Sequence, residues 1–152
     1  MKLDGTKHLD GPPELVFDLL NDPAQMAKLM PGVESFEVQD DTHWKAKVKV
    51  PLGLGALPLS FSFEKLEHRR PDYARLRAQG DGVGAIVKME TQFNLKAAEG
   101  GTEMGWEADV SIAGPVGSMG QRVLQPIVNQ QVANVLTALE EQVREAGADS
   151  SA

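Results

Sequence analysis

Three histidines, two acidic pairs and a scatter of amides are the residues of this 152-residue chain that bear on chemistry. Histidine suits proton transfer near neutral pH and is a common metal ligand. His8, His43 and His68 fall on separate extended segments or their ends, and the alternation of residue types puts them on outer faces as plain surface residues. No pair of them has metal-ligand spacing with a carboxylate partner. Asp40-Asp41 reads as a turn and Glu140-Glu141 as helix surface, so both are expected to be solvated charge. A nucleophile needs a partner base, and none is apparent. There is no cysteine, which removes disulfides, thiolate metal sites and thiol nucleophiles. The sequence therefore offers no catalytic residue and no metal ligand.

The bulk properties point to a single domain with a sizeable core: 41% of residues are hydrophobic and 24% charged. A net charge of -7 argues against nucleic acid as a partner, because phosphate binding wants a basic face. Residues 1–10 are too charged for a secretory signal, and no apolar run approaches the ~20 residues of a membrane span. A cytoplasmic protein is expected, one that meets a membrane only peripherally.

The elements that would position any site follow from periodicity. Lys2–Leu9 reads as a strand, broken by Gly11-Pro12-Pro13. Leu15, Val16, Leu19 and Leu20 make a helical stripe that stops at Asn21-Asp22-Pro23, and a second short helix runs to Met30-Pro31-Gly32. From Val33 the period becomes two. Six strands follow, joined by short turns: 33–39, 43–50, about 57–68, 73–79, 83–96 and 103–112. Pro115 is expected to open a long helix with an apolar stripe from Val116 to Val143, kinked at Pro126. The order defines an α+β helix-grip fold: a curved antiparallel sheet of about seven strands around a long C-terminal helix, with two short helices after the first strand. Residues 1–146 form the domain and 147–152 a flexible tail.

The sheet face turned to the long helix carries no charge from Trp44 through Ile112 on this reading, and many of its residues are small: Ala46, Ala74, Ala78, Gly80, Ala85 and Ala108. Small residues opposite a helix leave room. Either Trp44, Phe61, Phe63, Phe93 and Trp106 fill it as a closed core, or it is an apolar ligand pocket with a few polar groups drawn from Thr91, Gln121, Asn129, Gln131 and Asn134. The lining expected for a pocket is Trp44, Val48, Phe61, Leu76, Val87, Met89, Trp106, Val110, Met119, Val123 and Ile127. Gly80, Gly82 and Gly84 mark a hairpin or a flexible lip. Gly114, Gly117 and Gly120 mark close helix packing or a hinge. The leucines of the 51–58 loop either close the pocket or meet a membrane or partner. Lys45, Lys47, Lys49, Arg75 and Arg77 form an outer face that is either solvated or docks an acidic partner.

Five short stretches also carry a family resemblance. They are Met1-Lys2-Leu3-Asp4-Gly5, Leu20-Asn21-Asp22-Pro23, Met30-Pro31-Gly32-Val33-Glu34-Ser35, Gly80-Asp81-Gly82-Val83-Gly84 and Gly117-Ser118-Met119-Gly120-Gln121-Arg122. In this order and spacing, over residues 1 to 145, the chain resembles the CoxG family of carbon monoxide dehydrogenase subunits, within the START-like (Bet v 1-like, SRPBCC) superfamily. The resemblance implies a non-enzymatic accessory protein of a carbon monoxide dehydrogenase-type molybdenum hydroxylase. It would hold a quinone or a lipid-like molecule, with no covalent cofactor, and help couple that enzyme to the inner face of the membrane. Some members carry a C-terminal membrane-anchoring extension, which is not expected here because the chain stops soon after the long helix. The same fold also implies two alternatives: a polyketide cyclase or aromatase, and a docking protein with a filled core.

Overall fold

A computed structural model describes residues 1–30, 32–51 and 55–150, the last three by backbone alone. Strand β1 (Lys2–Leu9) is followed by helices α1 (Pro13–Leu20) and α2 (Pro23–Leu29). Six strands come next: β2 (Val33–Val38), β3 (His43–Pro51), β4 (Ala56–Arg69), β5 (Tyr73–Gly82), β6 (Ala85–Ala98) and β7 (Gly101–Ala113). A 3-10 turn (Gly117–Met119) then leads into helix α3 (Gln121–Ser150). The strands form one antiparallel sheet in the order β1-β7-β6-β5-β4-β3-β2. This is the helix-grip architecture expected from the order of periodicities.

Local chemistry sets the boundaries. Proline opens both short helices, where its missing N–H costs nothing. The Asp22 carboxylate accepts from the Ala24 amide at 3.0 Å and caps α2. Gly32, at φ +80, lets the chain turn from α2 into β2 directly over β3: a Cβ there would collide with the Lys49 carbonyl, and the Lys49 amide donates to the Gly32 carbonyl at 2.9 Å.

Two packed clusters divide the interior. One lies where β1 ends and α3 finishes; it joins Leu9, Val16, Phe17, Leu20 and Leu29 to Leu95, Met104, Leu139 and Val143. The other is built from the inner face of β3–β6: Trp44, Ala46, Val48, Leu59, Phe61, Phe63, Leu76, Ala78 and Ala85. Its packed neighbours come from α2, the strands and Val116, and none comes from α3. Large rings are seated on small cross-strand partners. Phe61 pairs with Gly80 and lies where a Cβ on that glycine would be 2.7 Å from its ring; Trp106 pairs with Gly5 in the same way, at 2.9 Å.

The structure corrects several expectations. A β-bulge between Lys65 and Glu67 shifts the register, so that His68 pairs with inward-facing Ala74 and is on the inner side of the sheet, exposed at the strand end. Lys65 also has inward parity, so the inner face is not free of charge; its ammonium leaves the core to donate to the Asn21 carbonyl between α1 and α2. Desolvation lowers its pKa, with Asp41 and Asp22 opposing. Val83 is in the β5–β6 turn, 93% exposed, and not on a strand. The long helix opens at Gln121, not Pro115, because Gly120 takes φ +89 and ψ 158, outside the helical region. At its far end α3 continues through 147–150, where the sequence suggested a tail. Leu52 and Leu54 lie outside the described residues.

Thr102 is a fully buried polar residue whose hydroxyl donates to the Gly11 carbonyl at 2.7 Å, tying β7 to the turn after β1. Thr102→Val keeps the shape and removes this bond. It is expected to lower stability by about 1–3 kcal/mol, read as an earlier midpoint in urea unfolding.

Candidate ligand pocket

Because α3 meets the sheet only toward its C-terminal end, a cavity of ≈ 260 Å³ lies between its first half and the second cluster. The wall on the sheet side includes Trp44, Val48, Leu59, Phe61, Leu76, Ala85, Val87, Met89, Thr91, Trp106, Ala108 and Val110. The helix supplies Leu124, Ile127, Val128, Gln131, Val132, Val135 and Leu136. These recur at spacings of three and four, which is one face of α3. Pro126 is on the opposite, exposed side, so the carbonyl that its missing N–H leaves free faces water.

Nine of the eleven residues expected as lining stand on the wall: Trp44, Val48, Phe61, Leu76, Val87, Met89, Trp106, Val110 and Ile127. Met119 and Val123 do not; each is 45% exposed. Met119 belongs to the 3-10 turn and Val123 to the outer side of the first helical turn, displaced because the helix starts later than its apolar stripe suggested. Residues missed by the sequence reading include Met26, Leu29 and Met30, with which α2 closes one side, Leu59 and Ile112 on the sheet, and Leu124, Val128, Val132, Val135 and Leu136 on α3. A seven-residue helix is too short to show a convincing stripe, so the α2 methionines gave little signal; the α3 residues were visible in the stripe but not placed in the lining. Of the small inward residues, Ala85 and Ala108 border the cavity, whereas the seat at Gly80 is occupied by Phe61.

Polar groups on this wall are few. Thr91 and Gln131 reach it. Gln121, Asn129 and Asn134 do not; they are exposed and run along the outside of α3 in amide hydrogen bonds through Gln125 and Gln130 at 3.0–3.1 Å. Trp44 is 1% exposed and stacks on Phe63 at 5.2 Å. Its indole Nε1 and that of Trp106 are both buried, and neither has a hydrogen-bond partner among the described residues. Each unsatisfied buried donor costs about 1–3 kcal/mol. Left unfilled, an apolar cavity of ≈ 260 Å³ costs on the order of 6 kcal/mol at ~24 cal/mol per Å³. That is comparable to the net stability of a small domain.

No acidic or basic side chain lies on the cavity wall among the described residues. Arg75 and Glu90 are on the outer face, where Glu90 accepts from Arg77 at 3.2 Å. Lys7 faces α3 and binds Glu140 at 2.6 Å, which holds that carboxyl below its usual range. Among the described residues, no group of three or more His, Asp or Glu is placed to hold a metal. His43 is the clearest perturbed histidine, and it is on the outer side of β3 beside Asp40 (3.0 Å) and Glu64 (3.4 Å). Donating a hydrogen bond to the Asp40 carboxylate raises its pKa, and Asp40 is lowered to about 2, chiefly by the Thr42 amide.

The curved sheet gripping a long helix over an apolar cavity is the START/Bet v 1 helix grip, a fold that supports hydrophobic-ligand binding. Among solved structures, a conserved protein from Geobacillus kaustophilus is similar at a TM-score of 0.88 and 20% identity, over 96% of this chain and 97% of that one. A START superfamily protein from Mycobacterium smegmatis matches at 0.71 and 14%, over 95% and 98%. Zhui aromatase/cyclase from Streptomyces sp. R1128 matches at 0.69 and 16%, over 95% and 93%. At these identities the likeness is one of fold. Compared with curated proteins, the chain matches none. The family model for CoxG, a carbon monoxide dehydrogenase subunit, matches residues 5–144, and the chain belongs to that family.

The raised His43 value has a definite sign. The stabilisation it reports is fully present below the unfolded value of 6.5 and is lost as pH rises through the folded pKa. In an NMR titration the His43 ring is expected to titrate above 6.5, and Asp40→Asn should move it back down. Because this group lies off the cavity, affinity for a neutral ligand should stay flat between about pH 6 and about pH 8.

Proposed function

We propose that this protein is a non-enzymatic carrier that holds a quinone or lipid-like molecule between α3 and the sheet, in the service of a carbon monoxide dehydrogenase-type molybdenum hydroxylase. The observation that carries the reading is the cavity itself: continuous, almost wholly apolar, and costly to leave unfilled. Family membership supports the partner enzyme. A cyclase or aromatase would need a titratable group among the lining residues, and the described wall offers none.

Loading from a membrane fits the end of the molecule where β5 and β7 finish and α3 begins. There Val83, Met119 and Val123 are exposed beside Val116, which lines the cavity and whose amide donates to the Gly84 carbonyl at 2.9 Å. An exposed apolar rim at a cavity mouth suits transfer of an apolar molecule with little exposure to water. No described helix is long and apolar enough to cross a membrane, so the contact proposed is peripheral.

The test is solvent extraction of the purified protein followed by mass spectrometry, with Ala85→Trp and Ala108→Trp as blocking variants. Both alanines are buried on the wall, at 2% and 7% exposure. The native protein is expected to yield a stoichiometric apolar molecule. The variants should yield little or none, while their stability stays within about 1 kcal/mol because the new ring occupies existing space. A native protein that carries nothing and shows no affinity for quinones or lipids would refute the carrier reading.

A further inference from the structure

Two properties of the cavity decide which part of an amphiphilic molecule it takes. The first is the chemistry of its wall, which presents almost no polar surface. Thr91 and Gln131 contribute next to none, and both indole N–H groups are enclosed by protein, that of Trp106 against Gly5 of β1. A quinone ring placed here would bury two carbonyl oxygens without donors, each lowering affinity roughly tenfold. A carboxylate or phosphate would fare worse, since the described wall holds no lysine, arginine or histidine. A hydrocarbon chain gives up no hydrogen bond on entry and gains about fourfold in affinity per methylene buried. The second property is size. An apolar cavity of about 150 Å³ accommodates one benzene ring. In proportion, a cavity of ≈ 260 Å³ accommodates on the order of ten carbon atoms. That is a length of chain, not a whole lipid.

Building on the carrier reading, we infer that the cavity takes the end of an apolar chain, about ten carbons of it, and leaves the ligand's polar head outside. The chain lies along the α3 stripe and emerges past Val116 at the rim formed by Val83, Met119 and Val123. Affinity then comes from chain length and hardly from the head. A redox-active head held in this way stays open to a partner enzyme while its chain is bound.

Three series of straight-chain probes separate chain from head: 2-alkyl-1,4-benzoquinones, primary alcohols and carboxylates, each with chains of six to fourteen carbons. Binding to the delipidated full chain is measured at neutral pH, below micelle formation, by ultrafiltration with the free probe quantified by mass spectrometry. In every series Kd is expected to fall about fourfold per added carbon up to roughly ten carbons and then to level off. At a fixed chain length the three heads should agree within about tenfold, and 2-methyl-1,4-benzoquinone should bind at least about a hundredfold more weakly than its decyl homologue. Ala108→Leu adds three carbons to the wall and should move the levelling point down to about seven. Methyl and decyl quinones of equal affinity, a spread among heads above about tenfold, or an undiminished gain from ten to fourteen carbons each overturns the inference while leaving a carrier. Failure of every probe to bind overturns the carrier reading and the inference with it.

Discussion

The helix α3 is pinned to the sheet at one end only, and the rest of the molecule depends on this. Near its C-terminus Leu139 and Val143 are fully buried against α1 and the start of β7. Around them polar ties hold the same end: Lys7 to Glu140, Arg144 to Asp10 at 3.2 Å, and Gln142 to the Gln25 carbonyl at 3.1 Å. The surface pairs add little energy individually, but they sit on a packed cluster and fix the height at which the helix lies. Toward Gln121 the same apolar stripe continues along the cavity, with Leu124 buried near the helix start. Close-packed interiors do not leave such gaps without a reason. Here the reason is geometric: α1 fills the bottom of the curved sheet and thereby holds the helix away from the top.

The sheet contributes by how it handles bulk. Large rings on the concave face would fill the gap if they stood upright. Phe61 instead lies down on Gly80, and Trp106 on Gly5, because each glycine opposite offers no Cβ. Trp44 stacks on Phe63 with nearly parallel planes, at 6°. The aromatic groups therefore pave the wall and leave the space above it open. That arrangement reconciles two readings of the sequence that looked exclusive, large residues filling the core and small ones leaving room.

Much of this was legible beforehand. Strict alternation in His43–Val50 and Met104–Ile112 identified both the strands and their inward sides, because a half-buried sheet imposes that pattern. The failures have physical causes. The bulge at Lys65–Glu67 adds one residue, and a period of two carries no warning of it, so the face of His68 was misjudged; Lys65 precedes the bulge, shares the parity of Phe61 and Phe63, and was overlooked as an inward charge. The start of α3 was misplaced because Val116 and Met119 continue its apolar spacing, whereas the backbone at Gly120 breaks the helix. The lining from α2 was overlooked since seven residues barely complete two turns. The orphaned indole nitrogens were invisible in principle, because hydrogen-bond satisfaction is a property of the assembled interior.

The pavement of the wall has an optical consequence. The chain contains two tryptophans, and both border the same cavity. Its indole emission therefore originates wholly at the ligand-facing surface, with no surface indole elsewhere to dilute it. Nature has in effect placed the molecule's chromophores at the point where occupancy changes their surroundings, so the native protein reports its own filling without any label.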